Sequence, residues 1–405
     1  MRGSPLTAGT ISAQTTADGS TWLDRRALAL IKRNVESAPI RFALWDGFEL
    51  EAGSEQPVAT ILFKNRRALL SWVWNPDLHF GETYVSGAVQ ISGDLIGLLE
   101  AIYRALPVTG RRRPRFVPAN DPHAARSNVH HHYDLGNEFY RLWLDRELIY
   151  TCAYFPTPDA TLDEAQVAKM HLVCRKLHLA RGERVIEAGC GWGALALFMA
   201  RHYGVTVTAF NLSTEQIAYA RDQARRLDLS SRVLFVDDDY RNASGRFDAF
   251  VSIGMLEHVG LQEYPALGRV IDRTLTSTGR GLLHFIGRDR PAPLNPWISR
   301  RIFPGAYPPA LREVFERVLE PADLSVLDVE NLRLHYAATL EHWLERFEHS
   351  STTVACMFDF AFVRAWRLYL AGSHVAFRTG TMQLFQLLFA RTGNNTIPWL
   401  RASGL

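Results

Sequence analysis

The feature that most constrains the fold is a glycine loop between two apolar segments. The loop lies within EAGCGWGALALFMA, from Glu187 to Ala200, and its glycines are Gly189, Gly191 and Gly193. Glycine lets a chain turn sharply between a strand and a helix, and it lets the backbone approach a ligand closely. The loop is therefore expected to bind a nucleotide-type ligand, or else to be a tight turn that serves packing alone.

Segments typical of strands and helices alternate along the chain around this loop. The predicted strands are RVIEA, VTVTAF, RVLFV, FDAFVS and GRGLLHFI, and the predicted helices are WGALALFMARHY, STEQIAYARDQARRL and YPALGRVIDRTL. In the second helix, Ser213 and Gln216 have the spacing of a capping box. The alternation predicts an α/β fold with a parallel sheet covered by helices on both faces, and ligands of such folds lie at the carboxyl ends of the strands.

The length of the chain, 405 residues, exceeds that of one ordinary core and predicts two folded units. We expect a disordered tail over residues 1–20, an N-terminal α+β domain over 21–106, a linker rich in proline and arginine over 107–126, and a catalytic domain over 127–405. The sequence contains no apolar run of transmembrane length and no secretory signal. Its four scattered cysteines indicate a reducing compartment and argue against a disulfide scaffold or a zinc site.

The spacing of the glycines bears on which nucleotide the loop binds. G-x-G-x-G differs from the G-x-G-x-x-G of dinucleotide folds, the second strand is followed by Asn211 instead of an acidic residue, and no Lys-Ser or Lys-Thr pair follows for ATP phosphates. Glu187 would repel a pyrophosphate but suits the ammonium of an amino-acid group. Together these residues favour S-adenosylmethionine, with Asp238 and Asp239 as candidate acceptors for its adenine amino group.

Two further clusters bear on partners and metals. Four arginines lie between Arg111 and Arg115, and they fit either a solvated linker or a patch that meets anionic lipid head groups. Three consecutive histidines, His130 to His132, cannot all face one ion on regular structure, so we predict no metal site. The net charge of +3 and the lack of a broad basic face argue against a nucleic-acid partner.

Several separated motifs surround the glycine loop in a fixed order. They are NVHHHYDLGNEFYRLWLDRELIYTCAYF, SIGMLEHVG, LLHFIG, FPGAYPP and HYAATLEHW. This set resembles the cyclopropane-fatty-acyl-phospholipid synthase family, which includes mycolic acid cyclopropane synthases and related lipid C-methyltransferases. The resemblance covers nearly the whole chain, because FGETYVSGAVQISGDLIGLL is similar to the small lipid-binding domain of the long bacterial synthases. It implies a class I methyltransferase sheet, Rossmann-like, with helical insertions around a lipid cavity and a small α+β domain of lipid-binding or sterol-carrier type.

The resemblance also implies a reaction. A methylene unit passes from S-adenosylmethionine to a cis double bond of an unsaturated acyl chain on a phospholipid, and a cyclopropane ring closes after a bound bicarbonate ion deprotonates a carbocation. A C-methyltransferase that leaves a methyl or methylene branch is the alternative, and a lipid carrier with an inactive methyltransferase half is a further one. The implied partners are acyl chains and the bilayer surface, with a homodimer allowed, and the implied location is cytoplasmic, peripheral on the inner face of the cytoplasmic membrane.

Five positions match the bicarbonate site of that family. Cys152 and Ile286 would contribute backbone groups, whereas Glu257, His284 and Tyr336 would contribute side chains. Each of the five also has an ordinary structural interpretation, since a cysteine, histidine or tyrosine in an apolar segment is often a core residue. A cysteine nucleophile is disfavoured because the reaction needs no acyl-enzyme.

Other positions match the cofactor site of the family. Tyr133 and the hydroxyl of Thr151 match family positions near the cofactor carboxylate. Gly189 and Gly191 match positions near its methionine part. Asn211 and Gln216 match positions near the ribose and the adenine edge, Asn211 standing where a threonine is common. Gln216 cannot both close the capping box and face the cofactor, and the family position favours the second role.

Replacing Arg111, Arg112 and Arg113 by glutamine is expected to weaken binding to anionic vesicles by more than tenfold. Each arginine near an anionic surface contributes about 1 kcal/mol, and salt screens that contribution. Co-sedimentation at two salt concentrations measures the effect, with neutral vesicles and S-adenosylmethionine affinity as controls. Sedimentation equal to that of the wild type would assign the arginines to a solvated linker.

Overall fold

The computed structural model describes residues 19–106 and 135–397 of the chain. Most of the predicted tail, the predicted linker, the Arg111–Arg115 cluster, His130 to His132 and Tyr133 lie outside these ranges. The described residues form a small unit around a four-stranded sheet and a larger unit around a seven-stranded sheet.

The small unit combines four helices with four strands. Its helices are α1 (Trp22–Arg33), α2 (Arg66–Trp74), α3 (Pro76–Ser86) and α4 (Leu95–Ala105), and its strands are β1 (Ile40–Leu44), β2 (Glu49–Ala52), β3 (Ala59–Phe63) and β4 (Val89–Gly93). The strand order is β2-β1-β3-β4, in which β1 and β3 are parallel and the other pairs are antiparallel.

Local signals set the ends of these helices. Thr21 and Asp24 form a capping box at the start of α1, and Arg66 at the start of α2 forms a salt bridge with Asp24 at 2.8 Å. Hydrogen bonding to Arg66 lowers the pKa of Asp24 to about 2, so the bridge is ionised at neutral pH. α3 starts with Pro76, whose missing N–H costs nothing at that position, and ends at Gly87 with φ +74°.

The larger unit contains the glycine loop. Its helices are α5 (Asn137–Arg141), α6 (Leu162–Lys176), α7 (Ala194–Tyr203), α8 (Thr214–Arg226), α9 (Leu256–Val259), α10 (Tyr264–Thr274), α11 (Pro296–Arg301), α12 (Leu311–Val314), α13 (Arg333–His349), α14 (Ser351–Met357) and α15 (Phe360–Arg378). Its strands are β5 (Arg184–Ala188), β6 (Thr206–Asn211), β7 (Val233–Asp237), β8 (Phe247–Ile253), β9 (Leu275–Gly287), β10 (Leu324–Asn331) and β11 (Gln383–Arg391).

The order of the seven strands places the site. It is β10-β11-β9-β8-β5-β6-β7, with β5 to β9 parallel and with β11 antiparallel to both β9 and β10. The chain therefore winds in opposite directions on the two sides of the β5–β8 pair. A crevice opens at such a switch point, outside the carboxyl ends of the strands.

A layer of aromatic side chains, contributed by helices and by the segment after α5, completes the unit. Trp143 packs against Trp343 and Trp366 with ring centroids 5.6 and 5.7 Å apart, and Phe139 lies 5.0 Å from Trp366. All four rings are buried. Large buried rings supply much of the apolar area that stabilises a fold, so this layer is well suited to hold an apolar cavity in place.

The small unit docks on this helical layer. A Cβ atom at Gly81 of α3 would lie 2.4 Å from the indole of Trp297, so only glycine permits the close approach of α3 to α11. Next to it, Arg301 donates two hydrogen bonds to Glu82, at 2.7 and 2.6 Å. Arg364 of α15 donates to the carbonyl of Val85 at 2.8 Å. Across the described residues, no helix is both long and apolar enough to cross a membrane.

Candidate active site

The three glycines of the loop have different neighbours. All have positive φ, at +81° for Gly189, +53° for Gly191 and +87° for Gly193. A Cβ at Gly193 would lie 2.7 Å from the ring of Phe235, and one at Gly189 would lie 2.9 Å from Met255. A Cβ at Gly191 would meet no atom within 4 Å. Two of the glycines are thus needed for packing, and Gly191 faces open space at the crevice.

Asn211 connects the glycine loop to α8. Its Nδ2 donates to the carbonyl of Gly191 at 3.1 Å and to Oε1 of Gln216 at 2.7 Å, while its Oδ1 accepts from the backbone N–H of Leu212. These contacts fix which end of the Gln216 amide is oxygen. Nε2 of Gln216 is buried and has no hydrogen-bond partner in the described part of the chain, so it is available to a ligand.

The predicted capping box at α8 forms only by half. Oγ of Ser213 accepts from the backbone N–H of Gln216 at 3.3 Å, as expected, but the side chain of Gln216 bonds Asn211 instead of folding back onto the cap. The capping-box role expected of Gln216 is therefore wrong, and its expected contact with the cofactor stays a prediction.

Glu187 ends up buried beside a lysine that the sequence analysis did not single out. Burial raises the pKa of Glu187 to about 8, against the opposing charge of Lys169, and its Oε2 has no partner within the described ranges. Burial lowers the pKa of Lys169 to about 8, and its Nζ donates to the hydroxyl of Thr151 at 2.9 Å. A buried acceptor of this kind matches the ammonium group of a bound amino-acid moiety.

Asp238 and Asp239 lie after β7 but differ in their contacts. Both carboxylate oxygens of Asp239 accept from Arg241, at 2.9 and 2.8 Å, and Arg241 also bonds Glu263. Oδ1 of Asp238 accepts from the backbone N–H of Asp239 and from Asn242. Asp239 is thus held in a salt bridge that shapes the turn, which leaves Asp238 as the less constrained candidate for contact with adenine.

The five candidate catalytic residues meet in one small cavity. It lies beyond the carboxyl ends of the strands, beside the glycine loop. Its lining residues are Tyr150, Thr151, Cys152, Gly254, Glu257, His258, His284, Ile286, Phe303, Tyr336, Tyr369 and Leu384.

Glu257 follows β8 on the short helix α9 and is buried. Its Oε1 accepts from the backbone N–H of Ile286 at 3.3 Å, and no described residue bonds its Oε2. Burial raises the pKa of this carboxyl to about 7. Near neutral pH the group is therefore able both to accept and to donate a proton, which is the property expected of a general acid or base.

His284 lies on β9 and is almost fully buried. One of its ring nitrogens, Nδ1, bonds the side-chain amide of Gln386 on β11 at 3.1 Å, while Nε2 has no protein partner among described atoms. Burial, together with the charges of Lys169 and Lys176, lowers the pKa of His284 well below its usual range. The ring is neutral at physiological pH.

The remaining three candidates, Cys152, Ile286 and Tyr336, also line the cavity. Sγ of Cys152 donates to the carbonyl of Ala153 at 3.1 Å, and burial raises its pKa, so the residue is a thiol and not a nucleophilic thiolate. The ring of Tyr336 packs against Phe377 with centroids 4.5 Å apart. The backbone N–H of Ile286 is occupied by Glu257.

Several lining residues were missed by the sequence analysis. The hydroxyls of Tyr150 and Tyr369 are 2.7 Å apart, Phe303 packs against Tyr369, and burial lowers the pKa of His258 to about 4. One signal was available for Lys169, since Gln166 and Lys169 are spaced by three on α6 and share its buried face. Polar residues on a buried helical face need partners, which points to a site.

The strand order, the antiparallel β11 and the glycine loop after β5 define a class I methyltransferase fold. Residues 120–387 match the family described as mycolic acid cyclopropane synthetase, and residues 29–107 match a family described as a domain of unknown function. The chain belongs to the mycolic acid cyclopropane synthetase family.

Individual relatives agree with this assignment. A probable fatty acid methyltransferase of Pseudomonas putida is 37% identical over 378 residues, which make up 90% of this chain and 95% of that protein. The cyclopropane-fatty-acyl-phospholipid synthase of Escherichia coli K12 is 38% identical over 265 residues, 65% of this chain and 68% of that one. The structure of mycolic acid cyclopropane synthase CmaA1 complexed with SAH and CTAB is 30% identical, with a TM-score of 0.63 over 66% of this chain and 98% of its own. The chain is thus an enzyme, a lipid methyltransferase or cyclopropane synthase that depends on S-adenosylmethionine.

Gly191→Val is expected to abolish binding of S-adenosylmethionine, because a branched side chain would fill the open space and disfavour the turn. Gly193→Ala is the matched control for packing. Its Cβ would clash with Phe235, so the variant is expected to lose about 2 kcal/mol of unfolding free energy. Calorimetric titration measures affinity in variants that circular dichroism shows to be folded. Unchanged affinity in Gly191→Val would make the loop purely structural.

Proposed function

We propose that the enzyme converts cis double bonds of phospholipid acyl chains into cyclopropane rings, with bicarbonate as the base. The observation that carries the proposal is the cavity, where Oε2 of Glu257 and Nε2 of His284 are buried without described protein partners among aromatic walls. Buried polar atoms of this kind are expected to bind a small polar group inside an otherwise apolar site.

The residues around the crevice suit S-adenosylmethionine. Open space at Gly191, the unpartnered Nε2 of Gln216 and the unpartnered Oε2 of Glu187 supply room, a donor and an acceptor. The cofactor, when bound, supplies an electrophilic methyl group. The glycine loop, Glu187 and Gln216 would hold it, and Thr151, which accepts from Lys169, lines the adjoining cavity. Positioning is much of what the protein must provide, because an alkene is a weak nucleophile.

Glu257 and His284 suit a bicarbonate ion, which would supply the base of the reaction if bound there. A neutral His284 with a proton on the cavity side donates to an anion. An anion nearby raises the pKa of Glu257 further, which favours the protonated carboxyl as a second donor. Both groups are held rigidly, Glu257 by Ile286 and His284 by Gln386, so little reorganisation is needed when charge develops.

Aromatic walls suit the positive charge that develops on the acyl chain. Tyr150, Phe303, Tyr336 and Tyr369 line the cavity, and aromatic faces attract cations. The same rings exclude water, which would otherwise trap the cation as an alcohol. The walls thus favour loss of a proton and ring closure.

A methyl- or methylene-branched product is the second candidate, and the name of the Pseudomonas putida relative favours it. Mass spectrometry of lipids from cells that express the chain tests the proposal. Ring closure adds one carbon and two hydrogens and removes the double bond, so the product resists mild hydrogenation. A product of the same mass that takes up hydrogen would contradict ring closure and indicate a methylene branch.

We propose that the small unit rests on an anionic bilayer, on the inner face of the cytoplasmic membrane. Trp22 and Leu30 lie on the exposed face of α1, and Leu70 and Trp74 on that of α2, with Trp74 87% exposed. The two helices pack together on the small core, and exposed arginines accompany both faces. Tryptophan beside arginine is typical of surfaces that contact anionic membranes.

Glu257→Gln is expected to keep the fold and the affinity for S-adenosylmethionine and to lose about two to three powers of ten in turnover. The reason is the loss of one preorganised proton-carrying group in a dry site. Product formation from vesicles of unsaturated phospholipid measures it. Turnover near that of the wild type would remove Glu257 from the mechanism.

The same variant has a stability signature that depends on pH. The pKa of Glu257 is raised from 4.5 to about 7 on folding, so its contribution to the free energy of unfolding is present at low pH and is lost as pH rises through this window. The free energy of unfolding of Glu257→Gln, measured relative to that of the wild type, should therefore rise by about 3 kcal/mol between pH 4.5 and 7.5. Denaturant titrations at several pH values measure the difference.

Replacing Trp22 and Trp74 together by serine is expected to weaken vesicle binding at least tenfold at both low and high salt, because salt does not screen apolar burial. Leu234→Ser is the matched control, since Leu234 is 62% exposed on the edge strand β7 of the other unit. Co-sedimentation measures both. Equal loss in the control would contradict a specific membrane face.

A further inference from the structure

A row of polar side chains crosses the C-terminal part of the large sheet behind the cavity. His284 on β9 pairs in register with Gln386 on β11, and Gln386 pairs in register with Glu330 on β10. Side chains of directly opposed residues in antiparallel strands lie on the same face of a sheet. Lys176, at the end of α6, completes the row above that face.

The row is hydrogen-bonded from end to end. Nζ of Lys176 donates to Oε1 of Gln386 at 2.8 Å and also contacts the carboxylate of Glu330. The amide Nε2 of Gln386 lies 3.1 Å from Nδ1 of His284. Lys176, His284 and Gln386 are buried, and Glu330 lies at the partly exposed end.

The chemistry of the partners fixes where each proton lies. An ammonium group only donates, so the atom of Gln386 facing Lys176 must be its oxygen. The other end of the amide is then its NH₂, which also only donates, so Nδ1 of His284 must accept through its lone pair. A neutral imidazole has a single proton, and it must therefore be on Nε2.

We infer that Gln386, oriented by Lys176, is a positioning residue that holds His284 in the Nε2–H tautomer and so presents a donor to an anion in the cavity. The identity of that anion as bicarbonate rests on the proposed function, whereas the tautomer does not. With the opposite tautomer, the lone pair of Nε2 would face the anion and repel it. Neither Gln386 nor Lys176 lines the cavity, so both act through His284.

The tautomer is directly measurable in the wild-type enzyme. Nitrogen NMR of protein labelled with ¹⁵N-histidine distinguishes protonated from unprotonated ring nitrogens, and a His284→Phe variant assigns the signals. We expect Nε2 protonated and Nδ1 unprotonated. A proton on Nδ1 in the wild type would overturn the inference, whatever the anion proves to be.

Gln386→Glu tests the consequence for the reaction. A carboxylate keeps the contact with Lys176 but can only accept, so at pH 8.5 the proton of His284 should move to Nδ1. Turnover at a fixed bicarbonate concentration should fall about a hundredfold, with S-adenosylmethionine affinity unchanged. A proton on Nδ1 with wild-type turnover would overturn the role of the tautomer.

Two further variants serve as a control for Gln386→Glu and as a second test of the tautomer. Gln383→Glu makes the same change three residues earlier on β11, where the side chain bonds Asn331, and should leave the signals of His284 as in the wild type. Should Gln386→Glu fail to fold, Lys176→Met frees the amide to rotate, and a mixture of tautomers is expected. An undisturbed tautomer in that variant would overturn the orienting role of Lys176.

Turnover that does not depend on bicarbonate in the wild type would contradict the proposed base, while the NMR result would still decide the tautomer.

Discussion

Burial of polar atoms without protein partners is the constraint on which the site depends. Among the described residues, carboxylate oxygens of Glu187 and Glu257, the amide nitrogen of Gln216 and Nε2 of His284 are all in this state. Each such atom costs about 1–3 kcal/mol as long as no ligand or water bonds it. The aromatic layer above the sheet offsets that cost, and ligands that bond these atoms recover it on binding. Stability is thus reduced where binding takes place.

The part of the fold that depends on local sequence could be predicted. β5 has the predicted bounds, and the glycine loop and α7 follow it as expected, because apolar runs and glycines identify a strand-to-helix turn without any knowledge of the remaining chain. The antiparallel course of β10 and β11 could not be predicted in this way. The apolar segment of β11 is as compatible with a core helix as with a strand, and its pairing with β9 is decided by contacts about a hundred residues apart, while among the described strands β10 pairs only with β11.

The residues of the candidate site also differ in whether the sequence alone could identify them. Cys152, Glu257, His284 and Tyr336 come from four separate segments, and family resemblance grouped them where spacing alone could not. Lys169 and Gln386 were missed because a polar residue in an otherwise amphipathic or apolar segment looks like a surface position until its neighbours are known. Asp239 shows the reverse difficulty, since an acidic residue after a strand can shape a turn with a nearby arginine as readily as it can bind adenine, and its contact with adenine stays a prediction.

The register of β11 also determines which of its side chains faces His284. Because successive side chains of a strand point to opposite faces, a shift of β11 by a single residue would turn Gln386 away from His284 and bring an apolar neighbour in its place. Over evolutionary time the strand can therefore exchange many of its apolar residues, but it cannot accept a one-residue insertion or deletion between Gln383 and Gln386. A change of length before β11, around Gly380, would by contrast leave the pairing of Gln386 with His284 unchanged.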